Sequence, residues 1–145
     1  MSFFVTGKGT CTDTKIVIPS AYENLPIKRI GDGAFYGCTN LTSVTIGNSV
    51  ETIGMNAFYY TAYYNNENNW ENDVLYIGDY LIKANANITG TYTIKDGTRL
   101  IANSAFSSCS NLTSVTIGES VETIGFYAFY DCTGLASITI GKGVA

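Results

Sequence analysis

The sequence predicts a β-rich solenoid, in which coils of 23 residues stack through short strands and short helical or 3-10 turns. Three observations lead to this fold. Residues 34–56 and 105–127 are identical at 17 of 23 positions. The same phase restarts 23 residues later, at Ala57 and at Ala128. Of the 145 residues, 46% are hydrophobic and 14% are charged, which suits a folded chain that can bury a core and excludes disorder.

Each repeat contains two short extended segments. Val44 and Ile46 alternate with Ser43 and Thr45, the pattern of a half-buried strand, and Gly47 ends it. A second extended piece covers residues 50–53, and the Ala-Phe-x-x-Cys step that follows predicts a tight helical or 3-10 return. The apolar side of one coil is too small to bury itself, so neighbouring coils must stack at about 4.8 Å.

The repeat is interrupted once. The interval from Ala57 to Ala105 is 48 residues, two periods plus two. Within it, residues 74–84 read as a β-hairpin that turns at Gly78-Asp79, and regular phase resumes at Tyr92.

These observations predict one repeat domain over residues 1–145. Its parts are an N-terminal capping repeat (1–33), a regular repeat (34–56), a divergent repeat with an aromatic loop and the hairpin (57–104), a regular repeat (105–127) and a partial repeat (128–145).

The consensus A-F-x-x-C-x-x-L-x-x-V-x-I-x-x-x-V-x-x-I-G resembles the BspA-type leucine-rich repeat of bacterial and some protist surface proteins. The likeness covers nearly all of the chain, and residues 16–35 resemble the family's capping repeat, in which extra residues follow the first strand. The resemblance implies a leucine-rich-repeat solenoid, an extracellular or cell-surface location, and a role in protein recognition or adhesion.

One outward position offers a check on the register. The residues equivalent to Glu51 are Lys28, Arg99 and Glu122, so the column alternates in sign along the stack. Opposite charges on neighbouring strands stabilise a sheet, whereas like charges destabilise it. Alternation is therefore what stacking in this register would favour.

Three of the four cysteines share a repeat position. Cys38, Cys109 and Cys132 occupy it, Thr61 replaces it once, and Cys11 stands apart near the start. A core-facing cysteine acts as a small hydrophobe, so free, buried thiols are expected. An extracellular location would permit disulfides. Only Cys109 and Cys132 lie on neighbouring coils, however, and a disulfide between residues side by side in adjacent strands is geometrically awkward.

Composition argues against an enzyme. The chain has no histidine, the commonest general base and metal ligand. Glu67, Glu71 and Asp73 lack the spacing of a calcium loop, and no carboxylate pair is placed as in a glycosidase. We expect no catalytic residue, metal or cofactor. With a net charge of −4 and no long apolar run, we expect neither nucleic-acid binding nor membrane insertion.

Two surfaces are candidate binding sites. Residues 58–73 concentrate tyrosine, tryptophan and asparagine, a composition shared with binding loops and also suited to stacking on sugars. The candidates in this aromatic loop are Tyr59, Tyr60, Tyr63, Tyr64 and Trp70, and the alternative is that several of them cover the coil. The second surface is a face of small hydroxyls, for which ordinary exposed strand is the alternative: Ser43, Thr45, Thr93, Ser114, Thr116, Ser137 and Thr139.

The preferred function is therefore a non-enzymatic module that binds an extracellular protein. The alternatives are carbohydrate binding through the aromatic loop, and a passive spacer between other domains. The partial repeat at 128–145 carries no polar cap, so we expect either that the natural chain continues or that this coil associates with a second copy.

Overall fold

A computed structural model describes residues 3–5 and 11–144, and the chain divides into two compact units, 1–70 and 71–145. Residues 1–2 and 6–10 of the expected capping repeat, and residue 145 of the partial repeat, lie outside the described part. Each unit is a stack of coils with short parallel strands and little helix, as the repeat predicts.

Unit 1 contains two sets of paired parallel strands. The elements are β1 (Phe3–Val5), β2 (Lys15–Ile18), β3 (Ala21–Tyr22), β4 (Leu25–Ile30), β5 (Ser43–Ile46), β6 (Thr52–Ile53), α1 (Ala62–Asn65) and a 3-10 turn (Glu67–Asn69). β2 pairs with β5, and β4 lies between β1 and β6. The pairing of Arg29 with Thr52 is offset by one period, which confirms the 23-residue coil.

The extra residues of the first coil form a small hairpin. β3 and β4 pair antiparallel, and Glu23 and Asn24 between them both have positive φ, 50° and 64°. A turn with two left-handed residues matches the twist of the strands that it joins. The sequence indicated extra residues here but did not reveal this hairpin.

Unit 2 also contains two sets of paired strands. The strands are β7 (Trp70–Glu71, at the boundary of the units), β8 (Val74–Ile77), β9 (Tyr80–Ala84), β10 (Gly90–Thr93), β11 (Leu100–Ile101), β12 (Leu112–Ile117), β13 (Thr123–Ile124) and β14 (Ser137–Ile140). The strand order is β10-β12-β14 in one sheet, and β13, β11, β9 and β8 lie side by side in another. The hairpin expected at Gly78-Asp79 is present as the antiparallel pair β8 and β9.

The Ala-Phe-x-x-Cys steps are tight turns with 3-10-type hydrogen bonds. The amide of Cys38 donates to the carbonyl of Phe35, and that of Cys109 donates to Phe106 in the same way. A left-handed residue follows each phenylalanine by two positions, so the turn cannot extend into a helix. These residues are Gly37, Tyr60, Ser108 and Asp131, with φ between 58° and 74°.

Phenylalanines of successive coils stack inside each unit. Phe35 and Phe58 lie 5.4 Å apart with ring planes 10° from parallel, and Phe106 and Phe129 lie 5.1 Å apart at 13°. Phe35, Phe58 and Phe106 are buried. The stacked rings therefore belong to the core, and Phe129 packs against it while partly buried.

The glycine of the Ile-Gly pair allows coils to approach closely. A Cβ on Gly125 would lie 2.5 Å from the amide nitrogen of Asn103 on the preceding coil. In that space the Oδ1 of Asn103 accepts the amide hydrogen of Phe126 at 2.9 Å. Asp32 makes the same contact with Met55 in unit 1.

The alternating charges form ion pairs between neighbouring coils, which agrees with the expected register. Lys28 and Glu51 form an ion pair, and Arg99 and Glu122 form another at 3.3 Å. The hairpin places Asp79 beside Arg99 in the strand register, because Tyr80 pairs with Leu100 and the amide of Arg99 donates to the carbonyl of Asp79. The sequence comparison missed Asp79, since the hairpin departs from the period.

The expectation of free cysteines is wrong for one pair. Cys11 and Cys38 are joined in a disulfide, with Cα atoms 5.4 Å apart. The first coil is longer than a regular one, so the sequence separation of 27 still brings Cys11 beside Cys38. Cys109 and Cys132 are free thiols, and Cys109 is buried while Cys132 is half-buried.

Candidate functional site

Thr61 ends the regular repeat in unit 1 and begins a helix. It occupies the cysteine position and is fully buried. Its hydroxyl donates to the carbonyl of Phe58 at 2.8 Å and accepts the amide hydrogen of Tyr64 at 3.0 Å. This is the geometry of a helix N-cap, so the chain turns into α1 instead of entering another regular coil. Cysteine at this position would be a weaker cap, and this replacement was the available sequence signal for α1.

Five aromatic side chains of unit 1 form one continuous row, which we call the aromatic ladder. Ring centroids are 5.8 Å apart for Tyr36 and Tyr59, and 4.1 Å for Tyr59 and Tyr60. Tyr64 contacts Tyr59 and Trp70, each at 5.1 Å and with planes at 88°. Such edge-to-face contacts are favourable geometries for aromatic pairs. The ladder therefore runs from a regular repeat into the aromatic loop.

The structure brings four of the five predicted aromatic residues together and adds one. Tyr59, Tyr60, Tyr64 and Trp70 belong to the ladder, and Tyr63 lies beside Tyr64 in α1. Tyr36 was missed. It stands one period before Tyr59, so extending the aromatic search to the preceding coil would have found it.

Hydrogen bonds hold the loop against the coil. The indole N–H of Trp70 donates to the carbonyl of Tyr64 at 2.8 Å, and Asn69 Nδ2 donates to the carbonyl of Tyr63 at 3.0 Å. The amide of Tyr63 in turn donates to the carbonyl of Leu41 at 2.7 Å. The ladder is thus mounted on fixed backbone, which lowers the entropy lost when a partner binds.

Two phenols of the ladder, Tyr59 and Tyr64, have raised pKa values and stay protonated at physiological pH. Burial raises the pKa of Tyr64 to about 12, with the nearby Tyr59 and Tyr60 adding to the shift. The pKa of Tyr59 is also raised, chiefly by its hydrogen bond with Tyr60. These two residues therefore present neutral rings and hydroxyl groups.

The hydroxyl face is an ordered array in unit 2. Ser114 pairs with Ser137, and Thr116 pairs with Thr139, one period apart. Ser137 Oγ donates to Ser114 Oγ at 3.1 Å. Thr91 and Thr93 of β10 extend both columns, and Thr91 was missed because its repeat is the irregular one.

The array does not continue in unit 1. Ser43 lies opposite Lys15, and Thr45 lies opposite Val17, which is 70% exposed. A charged and an apolar side chain thus interrupt the hydroxyl columns beside β5.

Unit 2 has an exposed aromatic patch of its own. Phe126, Tyr127 and Tyr130 are 76%, 71% and 64% exposed, and the two tyrosine rings lie 5.8 Å apart. Ile138 and Ile140 of β14 are also exposed. Phe126, Tyr127 and Tyr130 were not among the candidates from the sequence, and their exposure makes them suitable control positions.

No group of three or more candidate metal ligands occurs in residues 3–5 and 11–144. Glu71 of the considered calcium loop instead pairs with Lys95 at 3.3 Å. None of the helices formed by the described residues has the length and apolar character needed to span a bilayer.

Comparison with known proteins decides the family. The model of the BspA type leucine-rich repeat region matches residues 9–136 in six copies. The chain belongs to this family. BspA-type membership suggests a protein-interaction module, and leucine-rich repeat folds are typically non-catalytic.

Two solved structures of bacterial proteins are similar to this BspA-type chain. It is 26% identical to the leucine-rich repeat protein TpLRR of T. pallidum, with a TM-score of 0.47. The match covers 93% of this chain and 62% of TpLRR. It is 20% identical to the pneumococcal vaccine antigen PcpA, with a TM-score of 0.50, over 90% and 40% of the two chains. The chain thus spans less than two thirds of either protein. A search of curated proteins found no significant match.

Proposed function

We propose that this chain is a non-enzymatic recognition module of a secreted or cell-surface protein, and that it binds another extracellular protein through the aromatic ladder. Family membership supports a protein-interaction role. The similarity to a protein named as a vaccine antigen is in keeping with display at a cell surface.

The observation that carries the proposal is the ladder itself. Tyrosine and tryptophan offer large contact areas with few rotatable bonds, and they are enriched at the energetic centres of protein interfaces. Tyr36 and Tyr60 are 42% and 48% exposed, although both pack against neighbouring rings. The ladder thus combines solvent exposure with a fixed support.

The hydroxyl face of unit 2 is the second protein-binding candidate. Its six side chains are uncharged and in register, so a partner could dock without displacing the water around a charge. It offers little apolar area, however, and for this reason we place the main contact on the ladder.

The test is binding of the purified chain to a panel of extracellular-matrix proteins and to a glycan array. Three double variants are compared: Tyr36→Ala with Tyr60→Ala on the ladder, Ser114→Ala with Thr116→Ala on the hydroxyl face, and Tyr127→Ala with Tyr130→Ala as a matched loss of exposed tyrosines. Circular dichroism checks that each is folded.

We expect matrix-protein binding to fall at least tenfold in the ladder variant alone. Loss only in the hydroxyl variant would move the site to unit 2. Glycan binding that depends on the ladder, without protein binding, would replace the proposal by carbohydrate recognition. Failure of the folded wild type to bind either class would leave the spacer function.

A further inference from the structure

We propose that the aromatic ladder receives a positively charged segment of its protein partner, with an arginine or lysine side chain placed over the exposed rings of Tyr36 and Tyr60. This inference rests on the proposed function and names the chemistry of the partner. It is carried by the charge around the ladder, by the geometry of the rings and by an equivalent contact inside unit 2.

The ladder lies in a stretch of the chain without positive charge. Between Arg29 and Lys83 there is no lysine or arginine, whereas six acidic residues occur there: Asp32, Glu51, Glu67, Glu71, Asp73 and Asp79. Among those of unit 1, Glu51 is engaged by Lys28. Asp32 and Glu67 take part in no ion pair among the described residues, and both are exposed.

Glu67 adds a negative charge to the segment that carries part of the ladder. It begins the 3-10 turn between Tyr64 and Trp70, and the amide of Trp70 donates to its carbonyl. The backbone of Glu67 is therefore fixed on the same short segment as two of the five rings. In our proposal a partner cation at the ladder is attracted both by an aromatic face and by this negative charge.

Three of the five described ring contacts in the ladder are close to perpendicular, so the rings do not form a flat platform. The planes of Tyr36 and Tyr60 are 78° apart with centroids 5.7 Å apart, and both contacts of Tyr64 are at 88°. A row of sugars would stack best on coplanar exposed faces. A compact cation needs only one ring face within about 6 Å, and a second ring set at an angle can approach it from the side.

Unit 2 contains the same combination of groups. Lys95 Nζ lies 5.5 Å from the ring centroid of Tyr76 and 3.3 Å from Glu71 Oε2. The chain thus holds one of its own cations between a tyrosine face and a glutamate. The ladder offers the tyrosine faces and the glutamate, and in our proposal the partner supplies the cation.

The test measures binding of fluorescein-labelled Gly/Ser octapeptides by fluorescence anisotropy. One peptide carries two arginines, a second carries two citrullines, which keep the shape of arginine without its charge, and a third carries two glutamates. We expect the arginine peptide to bind at least fivefold more tightly than the citrulline peptide. Its affinity should fall as NaCl is raised from about 50 to about 500 mM.

Variants of the chain separate ring recognition from general attraction to an acidic protein. Tyr60→Leu leaves the charge unchanged, and we expect it to weaken the arginine peptide about fivefold, whereas Tyr60→Phe should retain binding. Glu67→Gln should weaken binding and reduce its salt dependence. Tyr130→Leu removes an exposed tyrosine of unit 2 and should have no effect.

Equal binding of the arginine and citrulline peptides would overturn the cationic partner. So would an affinity unchanged by Tyr60→Leu, or matrix-protein binding through the ladder with no preference for the arginine peptide. In the last case the proposed function would stand without this inference. If the wild type binds neither peptides nor any matrix protein, both fail.

Discussion

The same repeat position has different chemistry in the two units. In unit 1 it contains Cys38, which is cross-linked to Cys11. In unit 2 it contains Cys109, whose side chain is fully buried. Burial raises the pKa of the Cys109 thiol to about 11, which disfavours the reactive thiolate. We therefore expect unit 1 to depend on redox conditions and the thiols of unit 2 to react slowly.

Removing the disulfide should destabilise the oxidised chain. A cross-link that closes a loop of 27 residues stabilises by roughly 3–4 kcal/mol, because it restricts the unfolded chain. We expect Cys11→Ala with Cys38→Ala to lose about that much in urea unfolding followed by circular dichroism. With dithiothreitol present, wild type and variant should differ by less than about 1 kcal/mol. Equal stability without reductant would show that no cross-link forms.

At the scale of elements, a single buried side chain redirects the chain from coil to helix. Thr61 caps α1, and α1 carries Tyr63 and Tyr64 toward Trp70. The pattern of the regular repeats predicted the strands and the paired charges, because periodic burial determines both. It could not predict α1 or the β3–β4 hairpin, since these depend on a local cap and on left-handed residues at Glu23 and Asn24. The same limit explains why the aromatic loop was recognised from composition while its ladder arrangement was not.

Thr61→Val should keep the shape of this site and remove its hydrogen bonds. We expect a loss of about 1–2 kcal/mol, because the amide of Tyr64 loses its cap in a buried position. Trp70 packs on Tyr64 and should report the change as altered fluorescence in the native state. Thr61→Ser retains a hydroxyl and should behave nearly as wild type. Unchanged fluorescence in Thr61→Val would mean that the cap does not position the ladder.

The charge column gives a test of register. Arg99 lies between Asp79 and Glu122 on neighbouring strands of unit 2, so Arg99→Glu would place three acidic side chains in a row. We expect a loss of about 1 kcal/mol, and partial recovery when Glu122→Arg is added. Thermal or urea unfolding of the four proteins completes a double-mutant cycle. A coupling energy of zero would contradict the pairing.

For the whole molecule, both units bury groups that must stay neutral, and this sets the behaviour at high pH. The pKa of Tyr64 in unit 1 is raised to about 12, and burial also raises the pKa of Tyr92 in unit 2. Tyr92 shares a hydrogen bond of 2.6 Å between hydroxyl oxygens with Tyr76. Lys83 acts in the opposite direction. Burial disfavours its charged form and so lowers its pKa, and deprotonation at high pH removes this cost of burying a charge. The buried phenols with raised pKa values outnumber this lysine, so the free energy of unfolding should fall as the pH becomes alkaline.

Cys109 allows this pH dependence to be assigned to one group. Its pKa is about 11 in the folded chain against 9.0 ordinarily, so between pH 9 and 11 the unfolded chain loses the thiol proton while the folded chain keeps it. The unfolded state is thereby favoured, and this group alone should remove about 2 kcal/mol of stability across that interval. The Cys109→Ala variant has no thiol to ionise at this position, so its stability should decline less steeply with pH. Any stability lost because alanine is smaller is the same at both pH values and does not affect this comparison. Urea unfolding of both proteins at pH 8.5 and 11, with oxygen excluded, measures the difference, and parallel declines would show that Cys109 is not shielded from solvent.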